Sequence, residues 1–168
     1  MIAYKFLRPD GTTIFTRFAW PLPGAGPGAW VEADVDPCRS GLHACRVADL
    51  PFWAGQALFE LELDGPVAEE ATKVVAARAR ITRRVVAWEE GVRDVYTRMC
   101  ADRAHELARD AGLDTWDAGV EAAVASGPAS LGFIAAWIAE QRWGPEGFAL
   151  ERRRQADWLA DHLGLAAA

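Results

Sequence analysis

Leu58-Phe-Glu-Leu-Glu-Leu-Asp64 is the stretch whose reading decides the fold. Apolar and acidic residues alternate along it, the period of a strand with one dry and one wet face. Phe59, Leu61 and Leu63 are therefore expected to face a core, with Glu60 and Glu62 facing solvent. Asp64-Gly65-Pro66 reads as the turn that ends the strand. Toward the N-terminus, Ile2, Tyr4 and Phe6 alternate in the same way up to the turn signal Pro9-Asp10-Gly11. Thr12 to Trp20 is then expected to return as the second strand of a hairpin. Residues 21–28, dense in proline and glycine, are a loop, and Trp30 to Asp36 reads as a short strand. Asp49-Leu-Pro-Phe-Trp53 has the form of a short helix capped by Asp49. On the other side of the central strand, Val75, Ala77, Ala79 and Ile81 alternate with Arg78 and Arg80. Lys73 to Trp88 is expected to be a strand with an irregularity at Thr82-Arg83-Arg84, followed by a second apolar piece from Val85 to Trp88.

From Glu89 onward the period becomes helical. Glu89–Asp110 presents Val92, Val95, Tyr96, Met99 and Leu107 as one stripe, with Cys100 at its edge, Arg103 in its middle and His105 opposite. Asp114 to Ala125 reads as a short helix. Pro128 to Trp143 is apolar nearly all round, as a buried central helix would be, and Gly144-Pro145 opens a last helix to about Leu163. The fold class these patterns predict is α+β. A mostly antiparallel sheet in residues 1–88 is packed by a helical half, 89–168, the two forming a single domain over 1–168.

A net charge of −6 and a pI near 5.1 argue against a nucleic-acid partner and against binding to an acidic lipid surface. No apolar run is long enough to span a bilayer, so no membrane role is expected, and the N-terminus does not have the pattern of a leader. The expected location is cytoplasmic, where three cysteines read as thiols or ligands rather than disulfides. Only Lys5 and Lys73 among the 18 basic residues are lysines, a bias that resembles usage in high-GC bacteria.

The chemistry is expected at Cys38-Arg-Ser-Gly-Leu-His-Ala-Cys45. His43 and Cys45 are two apart on an extended run and share a face. If Ser40-Gly41 is a two-residue hairpin loop, Cys38 lies opposite His43. Three readings stand: a thiol-lined structural core, a cysteine nucleophile (Cys38 or Cys45) with His43 as its base, and a zinc site. The spacing is not a standard zinc pattern, and no metal is assigned. With eight tryptophans in the chain an aromatic-lined pocket is plausible, and Trp30 and Trp53, which flank the stretch, are candidates for substrate contacts. An arginine on a buried stripe must find an anion, so Arg103 is the candidate clamp for a charged substrate.

Cys38-x-x-Gly41-Leu42-His43-Ala44-Cys45 is followed by a short helix, Phe59-Glu60-Leu61-Glu62, Gly65 and Lys73. That succession resembles an uncharacterised domain of bacteriophage and actinobacterial proteins that reads Cys-x-Ser-Gly-Phe-His-Phe-Cys at the same place. The resemblance covers residues 1–88 and implies no activity. A weaker similarity, in the Gly-Leu-His strand, the helix and the strand Leu58–Leu63, is to the second half of ADP-ribosyltransferase folds. It implies NAD as substrate, the Gly41–Cys45 strand along a nicotinamide pocket, and Glu89 or Glu90 steering transfer. The chain departs from that pattern in its first strand, where Tyr4 and Arg8 are poor substitutes for the usual motif.

The function expected from these residues is a small enzyme acting on a small-molecule substrate; its reaction class is unassigned, with group transfer as one candidate. Its pocket would lie between the His43/Cys45 strand and the helix carrying Cys100 and Arg103, with His43 as the acid/base. The residues name no cofactor. The competing reading is a non-catalytic interaction module in which Cys38–Cys45 is structural.

Overall fold

The computed structural model describes residues 1–36, 40–113, 121, 123 and 125–165. The strands are β1 (Ile2–Leu7), β2 (Val31–Glu32), β3 (Leu42–Ala44), β4 (Ala57–Glu70) and β5 (Lys73–Arg84). The helices are α1 (Leu50–Trp53), α2 (Glu90–Asp110), α3 (Pro128–Trp143) and α4 (Pro145–Leu163). An antiparallel sheet thus occupies the N-terminal half and helices the C-terminal half, an α+β arrangement.

The β4–β5 hairpin is the spine of the sheet. Phe59, Leu61 and Leu63 are buried on one face of β4, and Glu60, Glu62 and Asp64 on the other pair with Arg83, Arg80 and Arg78 across the ladder. The ladder slips twice. Thr82 is an extra residue between the pairs Glu60–Arg83 and Leu61–Ile81. Gly65-Pro66 stand against Ala77 between Asp64–Arg78 and Val67–Ala76. Gly65, at a φ of 73°, is in a conformation a side chain would resist. Asp64-Gly65-Pro66 is therefore a bulge inside one long strand, not its end. It also changes the parity of β5: Val74 and Ala76 face inward before it, Ala79 and Ile81 after it. The single alternation expected through Val75–Ile81 is two registers joined at Ala77.

The inward face is lined by small residues, Ala3, Ala44, Ala57, Ala76 and Ala79, set among Phe59, Leu61, Leu63 and Ile81. Small side chains let a sheet curl tightly upon itself. β1 pairs with one edge of β4, while β2 and β3 both pair with the far edge of β5. The curl then brings the end of β3 back onto β1, where Tyr4 and Cys45 exchange backbone hydrogen bonds of 2.8 and 2.6 Å. The pairings β1–β4–β5–β3 close into a ring.

The partner of β1 is accordingly β4, and the expected strand at Thr12–Trp20 does not form. That segment closes on itself: Thr12 bridges Ala19, and the Thr13 hydroxyl accepts the Phe18 N–H at 2.9 Å and lies 2.7 Å from the Thr16 hydroxyl. Local side-chain bonds of this kind compete with a ladder. Ser40 pairs with Asp36, so Ser40-Gly41 is not the two-residue hairpin loop expected. His43 stands opposite Val75 of β5, and Cys38 lies outside the described residues. Asp49 precedes α1 but does not cap it with its side chain, which caps the preceding 3-10 turn Val47–Asp49 instead. Its carboxylate accepts the Arg46 backbone N–H at 3.0 Å and the Arg46 guanidinium at 2.7 Å.

Tyr4, Phe6, Leu58, Val85 and Trp88 present the second face of the sheet to Tyr96, Cys100, Leu107, Leu131, Ile138 and Leu159 of the helices. Val85–Trp88 is a turn rather than a second strand piece. The Trp88 ring lies edge-on between Phe6 (5.6 Å) and Tyr96 (5.9 Å), and its N–H donates to the Gly55 carbonyl at 2.9 Å. The buried stripe of α2 is Tyr96, Cys100, Ala104, Leu107 and Ala108, turned from the expected one, so Cys100 is central and Val95 exposed. α3 packs between α2 and α4 but leaves Phe133 and Trp143 exposed, so it is not buried all round. Most of the short helix expected over 114–125 lies outside the described residues.

Because Trp88 joins the two layers, Trp88→Ala should lower the unfolding free energy by about 3–5 kcal/mol, read from urea denaturation. A cost below about 1 kcal/mol would contradict a core shared by sheet and helices.

Candidate functional site

β1 and the end of β3 are joined by one backbone bridge, Tyr4–Cys45. Beyond Tyr4–Cys45 the two strands part, because each is held by a different neighbour: Lys5 lies opposite Phe59 of β4, His43 opposite Val75 of β5. Gly41 sets β3 tightly on β5. Its φ is 119°, and a Cβ there would stand 2.4 Å from Val75 Cγ1. A recess of about 120 Å³ opens in the gap between the strands. Its floor is Lys5, Phe6, His43, Ala44 and Cys45; Thr13, Ile14 and Phe15 of the loop after β1, Trp53 of α1 and Lys73 at the start of β5 form its walls.

Lys5 has the inward parity of β1, between buried Ala3 and Leu7. Its Nζ lies 5.8 Å from the centre of the Trp20 ring and donates to the His43 carbonyl oxygen at 2.5 Å. Burial holds the Lys5 ammonium down to about 8; the Cys45 thiol acts the other way, and the Lys73 charge adds to the lowering. Lys73 differs, because its Nζ pairs with Glu70 at 3.4 Å. The recess therefore holds two lysines against one carboxylate, a positive spot in a chain of net charge −6.

His43 and Cys45 both line the recess. Nε2 of His43 is buried and has no hydrogen-bond partner among the described residues. Burial first, then the Lys73 and Lys5 charges, hold His43 below 6.5, with Glu70 opposing. The imidazole is thus neutral at pH 7 and able to accept a proton. Cys45 is in a different state. Burial pushes its thiol up to about 12, so it stays protonated, the opposite of an activated nucleophile.

Trp53 stands at the rim, 38% exposed, with its N–H donated to the Thr72 carbonyl at 2.7 Å. Trp30 is elsewhere: the guanidiniums of Arg78 and Arg80 cover its ring at 4.4 and 4.5 Å. Arg103 is also absent from the recess. It is half-buried, and its anions are internal, Glu151 at 3.2 Å and Glu106 at 2.6 Å. The space where a pocket between β3 and α2 was expected is filled by Tyr4, Phe6, Trp88 and Tyr96. Cys100 sits in that packing with its thiol pushed up to about 12 by burial. Glu89 and Glu90 are exposed at the start of α2 and do not line the recess. Among the described residues no three His, Cys, Asp or Glu gather as a metal site; Cys38 lies outside them.

No family model matches the chain, nor does any curated protein or solved structure. The recess stands on its own chemistry. Sequence reasoning missed Lys5, Lys73 and the Thr13–Phe15 wall. A signal for the lysines was present, since a chain that otherwise uses arginine keeps lysine at two positions, one of them on the inward parity of a strand.

The lowered Lys5 has a thermodynamic consequence. Folded and unfolded chains both hold the proton below pH 8, where the whole cost of burying it is present; that cost disappears as pH rises from about 8 toward 10.5. Wild type should therefore gain on Lys5→Met by roughly 3 kcal/mol at most between pH 7 and pH 10.5, measured by urea denaturation across that range. A pH-independent difference would contradict the environment described for Lys5.

Proposed function

We propose that this chain is a small enzyme that takes a small organic anion into the β1–β3 recess and exchanges a proton with it through His43. The observation that carries this reading is convergence. The two lysines of the chain and an imidazole with a buried, unpartnered nitrogen meet on one apolar recess. An anion gains from the excess positive charge, which is worth more where water is excluded. The recess is smaller than the roughly 300–1,000 Å³ of sites for drug-sized ligands, so the ligand is small. A neutral imidazole is a suitable proton carrier for an acid–base or group-transfer step. Cys45, protonated and buried, serves as wall and packing, and Trp53 shields the rim.

Propionate, an unreactive carboxylate, tests the binding directly. In NMR titrations of the full chain, propionate should bind saturably and raise the His43 midpoint by about 0.5 pH unit or more, because a nearby anion favours the imidazolium. Lys73→Gln should weaken that binding at least five-fold. No saturable effect on His43, or effects confined to other parts of the chain, would overturn the reading.

A further inference from the structure

The two lysines of the recess are not equivalent. Lys73 has a carboxylate partner, Glu70 at 3.4 Å, and is suited to act as a fixed positive charge. Lys5 has no carboxylate partner among the described residues, and its Nζ is held in place by one hydrogen bond, to the His43 carbonyl oxygen. Its Nζ lies 5.8 Å from the centre of the Trp20 ring, and Phe6 and Ala44 line the same recess. An amine that donates one N–H to a fixed carbonyl keeps its lone pair for another partner, and Lys5 is one of the residues that line the recess. Arginine, which the chain uses almost everywhere else, cannot lose its proton and so cannot do this.

We infer that Lys5 is a nucleophile that condenses with the carbonyl carbon of a small oxo-acid, whose carboxylate is held by Lys73. This inference rests on the anion-binding reading of the same recess. The neutral Lys5 amine forms the new C–N bond while the carbonyl electron pair moves to oxygen, giving a carbinolamine. The C–O bond then breaks. Overall the ammonium and the carbonyl give a protonated imine and one water, the two protons lost from nitrogen leaving with the carbonyl oxygen. His43, which lines the same recess, relays them. The protonated imine in turn draws electrons from the neighbouring carbon. His43 takes a proton from that carbon and the C–H pair moves to form the enamine, an acid–base step that uses both groups.

The environment is consistent with this chemistry. With its ammonium held down to about 8 by burial, Lys5 has a larger free-amine fraction at pH 7 than an ordinary lysine. The titratable groups that face it are Cys45 and Lys73, with His43 and Glu70 behind them.

The experiment is reductive trapping of the full chain with pyruvate and cyanoborohydride, mapped by peptide mass. One adduct is expected, on Lys5, forming at least ten-fold faster than any on Lys73 or the Met1 amine, with a half-maximal rate near pH 8. Lys5→Arg, checked for folding by circular dichroism, should lose that adduct. His43→Gln should slow deuterium exchange into the pyruvate methyl group at least ten-fold. Trapping that falls equally on both lysines or on Met1, no trapping, or a half-maximal rate near 10.5 would overturn the inference. Propionate binding without a Lys5 adduct would refute the imine and leave the anion site standing. Absence of propionate binding would refute the anion site itself.

Discussion

The one backbone bridge between Tyr4 and Cys45 is the constraint on which the molecule depends. It closes the curled sheet, and because it is single the sheet closes incompletely. One further pair would zip β1 to β3 and fill the recess with backbone. None at all would leave two sheet edges open to solvent and to other chains. The bulges at Thr82 and Gly65-Pro66 supply the twist that brings β3 round, and the small inward residues allow it. The second face of the same strands carries the helices, with Trp88 between Phe6 and Tyr96.

Closure is also what makes the site electrostatically unusual. Lys5 and Lys73 are 68 positions apart in sequence and meet because β1 and β5 are both neighbours of β3. The interior parity of Lys5 places its charge among apolar groups, and the start of β5 brings a second cation beside it. The arginines of β5 show the contrasting solution. Arg78, Arg80 and Arg83 pair with carboxylates on β4 at the wet face, where each exposed pair contributes on the order of 0–1 kcal/mol.

What the sequence made legible follows from the range of the interaction concerned. The strand at Leu58–Leu63 was plain because its alternation is strict and its two faces differ sharply in polarity. The shared face of His43 and Cys45 was legible for the same reason. The α2 stripe was turned because its buried side is built of Cys100, Ala104 and Ala108, whose small side chains give little hydrophobic signal beside Val92 and Val95. Arg103 was placed near the site by that error, although its need for a carboxylate was sound. Thr12–Trp20 failed as a strand because the Thr13 side chain bonds within the segment closed it locally. The meeting of Lys5 with Lys73 was hidden for a deeper reason, since it depends on ring closure and no local pattern records that.

The most direct measurement is an NMR titration of the lysine side chains, followed at the ¹³Cε resonances, in a chain with two lysines to assign. The Lys5 resonance should titrate with a midpoint near 8, and Phe59→Ala, which loosens the inward face beneath it, should move that midpoint upward. A Lys5 midpoint at the ordinary lysine value of 10.5 would contradict the closed, apolar recess and the chemistry assigned to it.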